Sequence, residues 1–269
     1  MMKFERKKSN FFILTYLFFL FVFFISLFLN INKYREIIEN KSTLQIELKE
    51  ELKQNEIEVL EQKLWKIKEV KNLKYYSKER GLKRLVKELE ISIPEVNNPL
   101  SDLIIINVLG VENKKKIIDT LLETEKNIVS FHFSEVVTEQ TTKESKNLKN
   151  ILLAVLILGI VPIIYMIYSM FINLVYEKYL YYYQNSQDEE KAIKLGKKVL
   201  FLPLVASAIS GSAIYYNLYL LFKRKYSEEI VEIFRVSEIE IVYGTFGLVF
   251  CIVLMLIFIP IKFKDRPRK

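Results

Sequence analysis

His132 and Cys251 are the single histidine and the single cysteine of this 269-residue chain. A reactive thiolate or serine needs a base beside it, and a metal site gathers Cys, His and carboxylates at short spacings. Cys251 lies inside an apolar run, and His132 sits in an alternating segment with no Ser or Cys placed to act with it. His132 therefore reads as a strand or surface histidine. The seven glycines are scattered, so no phosphate-cradling or dinucleotide loop forms. The many Glu–Lys neighbours read as solvated helix faces, and Trp65 as packing. No catalytic, cofactor or metal residue is assigned, and an enzyme is not expected.

The elements that would position any chemistry are of two kinds. Four long apolar runs, at residues 11–29, 151–175, 199–222 and 241–261, each reach the roughly 20 residues that cross about 30 Å of hydrocarbon. No acidic or basic residue stands in mid-span, so a self-sufficient pump or channel is disfavoured. The first run follows the basic start Lys3, Arg6, Lys7 and Lys8, as a signal peptide does, but is longer and lacks a small-residue cleavage site. It reads as an uncleaved anchor.

Charge then orients the spans. Residues 1–10, 176–198 and 262–269 together carry the whole formal charge of +8, whereas 30–150 and 223–240 are neutral in sum. By the positive-inside rule both termini and the loop 176–198 face the cytoplasm. Lys223, Arg224 and Lys225 then lie outside, against the trend. The chain reads as a multi-pass protein of a bacterial inner membrane, and its basic balance as a topogenic signal. Interleaved Lys and Glu outside argue against nucleic acid.

Residues 30–150 read as an α+β extracytoplasmic domain between the first two spans. Residues 43–48 alternate with period two as a strand does, and Ile57, Leu60, Leu64 and Ile67 make one helical stripe. Residues 70–76 follow as a strand. Ser77 can cap a helix with Leu82, Leu85, Val86 and Leu89 on its apolar face, before Pro94 and Pro99 forbid continuation. The apolar run 103–109 predicts a central strand covered on both faces, ended by Gly110. Ile117, Ile118, Leu121 and Leu122 mark a helix. Residues 127–133 are a last strand, with Val129, Phe131 and Phe133 on one face and Ile128, Ser130 and His132 on the other. Ser134 opens a polar helix running into the second span. The order is a split β-α-β pattern, ferredoxin-like, with an inserted lobe near 77–100.

Lys71-Asn72-Leu73-Lys74-Tyr75-Tyr76-Ser77-Lys78-Glu79 and Asn97-Asn98-Pro99-Leu100 before the strand at 103–108 carry a resemblance. With the layout of one span, an outer domain and three close spans, they resemble the FtsX-like permease family of ABC-type complexes. The loop Glu189-Glu190-Lys191-Ala192-Ile193-Lys194-Leu195-Gly196-Lys197 is similar to the family's coupling segment but one residue short and without its Ala, and Pro203 matches the proline that follows. Tyr179 to Tyr183 have no family counterpart.

The resemblance implies a non-catalytic subunit that transmits the ATP-driven motion of a cytoplasmic FtsE-type ATPase to an outer peptidoglycan hydrolase, or its adaptor, at the division septum. ATP would be bound by the partner, and the subunit would work as a homodimer. Lys194, Leu195 and Gly196 are the expected ATPase contacts. The expected hydrolase-facing surface is Leu82, Leu85, Val86, Leu89, Ile91 and Ile93; those leucines would serve equally as cover for the sheet. Pro162 with Gly159 marks either a working bend or a passive kink. A permease subunit of an export or lipoprotein-release system and a ligand-binding membrane sensor are the alternatives.

Overall fold

Alternation at Thr43–Leu48 produces strand β1, in which Leu44, Ile46 and Leu48 are fully buried. The computed structural model describes residues 2–50, 52–89, 98, 100–186, 188–226 and 236–261. The chain divides into two units, residues 35–149 and the remainder.

In the first unit β1 is followed by α2 (Gln54–Trp65), β2 (Asn72–Tyr76), α3 (Lys78–Leu89), β3 (Leu103–Asn107), α4 (Val111–Thr124) and β4 (Ile128–His132). The strands form one sheet in the order β2-β3-β1-β4, with every neighbouring pair antiparallel. This is the split β-α-β, ferredoxin-like arrangement, with α3 as the inserted element between β2 and β3. Leu44 lies opposite Ile106, and Ile46 opposite Ile104. Ile57, Leu60 and Leu64 of α2 and Ile117 and Leu121 of α4 join those side chains in one core. Each such side chain stabilises the fold by about 1.5–3 kcal/mol. Gly110, at φ 86, makes the left-handed turn between β3 and α4 that other residues rarely adopt.

Two sequence expectations change here. Although β3 is central, Leu103 and Ile105 are only partly buried, while Ile104 and Ile106 are sealed. Both α2 and α4 pack into the core on the Ile104 side, so the run 103–109 is not covered equally on both faces. In β4, the pairing register with β1 shifts between Glu47 and Leu48. The irregularity brings Ile128 opposite Leu48 beside the core and leaves Val129 58 % exposed, which breaks the strict alternation read along the strand.

Lys114 of α4 is completely buried. Its ammonium donates to the Thr43 carbonyl at 2.8 Å and to Thr138 Oγ1 at 2.7 Å, and lies 5.3 Å from the centre of the Phe133 ring. Burial lowers its pKa to about 8. A second buried charge, Glu39, accepts hydrogen bonds from Lys71 and Ser145 and pairs with Arg35 at 3.3 Å. It joins the last turn of α1 (Met2–Asn40) to the residue before β2 and to α5 (Glu135–Ala154).

The second unit is helical. Helix α1 has 39 residues, about 58 Å of rise. From Glu135 the chain stays helical to Ser186, as α5, a π segment at Val155–Ile160 and α6 (Val161–Ser186). The π segment ends two residues before Pro162, whose ring cannot fit behind an ordinary helical turn. Helix α7 spans Glu189–Lys225, capped by Asp188, and α8 spans Glu238–Phe258, capped by Ser237. The last apolar run, 241–261, is helical only to Phe258, because Pro260 holds Ile259 extended. Among the described residues, four helical stretches are long and apolar enough to cross a membrane.

Leu14, Phe18, Phe171, Val175, Leu204 and Ala208 form the buried centre of this bundle. Small residues permit its closest approaches. A Cβ on Gly211 would stand 2.6 Å from the Thr15 carbonyl oxygen and 2.8 Å from the Phe19 nitrogen. One on Gly159 would meet the Phe24 ring at 2.5 Å. Large apolar side chains point outward, among them Leu158, Leu202, Phe246 and Phe258, as lipid contact requires.

Candidate functional site

The inserted helix α3 is held at its first turn by groups from three stretches of sequence. Asp102, just before β3, accepts from the Lys78 backbone N–H at 2.7 Å through Oδ1, and from the Tyr75 hydroxyl at 2.8 Å through Oδ2. Ser77 Oγ accepts from the Arg80 N–H at 3.4 Å, as an N-cap should. Asn98 Nδ2 donates to the Lys78 carbonyl at 3.0 Å, and Asn98 Oδ1 accepts from the Leu100 N–H at 3.1 Å. Burial, and next the bond to Asp102, raise the Tyr75 phenol far above its ordinary value, so it remains a donor. Tyr75, Ser77 and Lys78 of the first sequence motif thus meet Asn98 of the second at the root of α3. Asp102 joins them, and sequence reasoning missed it.

On the helix itself, Leu82 is 4 % exposed and Val86 is partly exposed. Leu82 therefore packs inward. Leu85 and Leu89 lie on α3 with side chains outside the described residues, as are Ile91 and Ile93 altogether.

The expected ATPase contacts fall in the second turn of α7. Lys194 is exposed and Leu195 partly so. Gly196 is buried against α6, where a Cβ would lie 3.2 Å from Lys178 Cβ and 3.5 Å from the Val175 carbonyl oxygen. It serves helix packing, which leaves Lys194 and Leu195 as the outward part of the segment.

His132 does have a serine beside it, contrary to the sequence reading. Ser130 and His132 project from the same side of β4, two residues apart, and Ser130 Oγ lies 2.7 Å from His132 Nε2. The Ser130 hydroxyl donates to Glu47, which also accepts from Ser101 at 2.7 Å. With its one proton committed to the carboxylate, Ser130 must receive the ring N–H, the reverse of a base-activated nucleophile. The hydrogen bonds from Ser130 and then Ser101 hold the Glu47 carboxyl below its usual range. Among the described residues no group of three or more His, Cys, Asp or Glu is gathered as a metal would need.

Among the described residues, four helices long and apolar enough to cross a membrane, with a split β-α-β domain between the first two, make this a multi-pass membrane protein. Residues 41–142, which comprise that domain almost entirely, match the family model of the FtsX extracellular domain. That domain is FtsX-like, and with the spans around it marks the chain as an FtsX-like membrane component of the cell-division system. No curated protein matches the chain.

Proposed function

We propose that this chain transmits nucleotide-driven motion of a cytoplasmic FtsE-type ATPase to a peptidoglycan hydrolase, or an adaptor for one, held by the outer domain. The observation that carries this reading is the anchored insertion. Helix α3 is fastened to the sheet at its root by Asp102 and Asn98, so a partner seated on it is rigidly linked to the domain core. The partner surface is Leu85, Val86, Leu89, Ile91 and Ile93, with Leu82 as the inward side chain beneath it. Inside, Lys194 and Leu195 touch the ATPase. Both termini lie in the cytoplasm, the subunit acts as a homodimer at the septum, and ATP is bound by the partner alone.

Detergent pull-down of the full chain with and without ATP, followed by mass spectrometry, tests this. An ATPase and a wall hydrolase or its adaptor should co-purify. Replacing Leu85 and Val86 together by Glu should remove the outer partner and leave the ATPase bound. An ATPase found with a lipoprotein or small-molecule cargo, and no wall enzyme, would replace this reading with export.

A further inference from the structure

The start of α7 holds three amines on one side of the helix, Lys194, Lys197 and Lys198, one turn apart. They line a groove of about 760 Å³ whose opposite wall is the last turn and exit of α8, Leu256 to Ile261. Lys197 Nζ donates to the Ile259 carbonyl, which pins one amine at the end of α8. Lys194 and Lys198 have no ion-pair partner among the described residues, and Glu190 is the one carboxylate on the wall. The groove therefore holds a surplus of positive charge beside a hydrophobic wall of Phe201, Leu256 and Ile257.

Its position matters as much as its charge. Lys198 directly precedes the apolar stretch of α7 that begins at Val199, and Phe258 ends the apolar stretch of α8. The groove thus lies where hydrocarbon gives way to headgroups. Phe201, Ile257 and Phe258 are 44 %, 64 % and 72 % exposed, so the apolar wall opens toward lipid. A small anion would satisfy the amines and leave that wall uncovered. An uncharged lipid would cover the wall and leave the amines unpaired.

We propose that this groove seats one anionic phospholipid, its phosphate against Lys194, Lys197 and Lys198 and an acyl chain along Phe201 and Ile257. Basic pockets between spanning helices are the expected place for such headgroups. Lys194 is shared with the proposed ATPase contact, so lipid and ATPase would meet at that amine, and testing the membrane subunit alone separates the lipid site from the ATPase reading.

The test is native mass spectrometry of the delipidated full chain in detergent, given equal phosphatidylglycerol and phosphatidylcholine with the same acyl chains. One phosphatidylglycerol per chain should be retained, with a preference of about tenfold or more, or 1.4 kcal/mol. K194Q/K197Q/K198Q should abolish the preference, and E190Q should raise it. Equal retention of the two lipids by the unaltered chain, or an undiminished preference in the triple variant, would overturn the proposal. Displacement of the lipid by millimolar inorganic phosphate would also overturn it, by showing a bare anion site. Should the triple variant lose its helical circular dichroism, E190Q decides: a higher preference supports the lipid site, and an unchanged one refutes it.

Discussion

Asp102 performs two tasks with one carboxylate, capping α3 and fixing the Tyr75 hydroxyl. Replacing it with Ala removes a cap and leaves a half-buried phenol without its acceptor, so the outer domain should lose about 1–3 kcal/mol. Hydrogen exchange in the full chain should show the amides of the first turn of α3 exchanging faster than those of α2. Lys114 makes the opposite kind of demand. Its folded pKa is depressed to about 8 from 10.5, so between those values the unfolded chain binds more protons. Stability should then rise as pH climbs from about 8 to 10.5, once the buried amine need no longer be charged. K114M should flatten that rise in a denaturation series across the same pH range. Neither residue was singled out from sequence. Asp102 acts on partners 24 and 27 positions away, which no local pattern reveals. Lys114 sits in a run of three lysines that reads as solvated, although its spacing of three and then four to Ile117 and Leu121 was a legible sign of the inner stripe.

Among the elements, glycines separate close contact from open surface. Gly211 meets backbone atoms of α1, which cannot swing aside, whereas Gly244 on α8 has nothing within 4 Å. G211A should lower the melting temperature of the detergent-solubilised chain. G244A should leave it unchanged or raise it, by up to about 1 kcal/mol of helix propensity. Thermal unfolding of the pair side by side checks both. Strand and helix identity in the outer domain were legible because each core element keeps its own period, two for β1 and 3.6 for α2. The register shift beside Leu48 was not, since an irregularity depends on the partner strand rather than on the strand's own residues. The π segment was foreshadowed by Gly159 and Pro162, but the sequence suggested only a bend, not a widened turn.

At the scale of the whole molecule, the partition of charge among the connecting segments predicts an orientation, because orientation depends on basic residues near span ends rather than on packing. A topology experiment follows from it. With Cys251 replaced by Ser, V129C should react with a membrane-impermeant thiol reagent in intact spheroplasts, since Val129 is 58 % exposed in the outer domain. A cysteine placed at Lys194 should react only after the membrane is opened. The reverse pattern would invert the chain. What no sequence pattern announced is how the helices leaving the membrane are fastened. Glu39 ties the last turn of α1 to α5 and to the approach to β2. In mechanical language it is a rivet through two rods: axial slip of either rod past the other must shear a charge out of its socket first. Within residues 35–149, sliding the end of α1 along α5 therefore breaks the Glu39 contacts with Lys71 and Ser145.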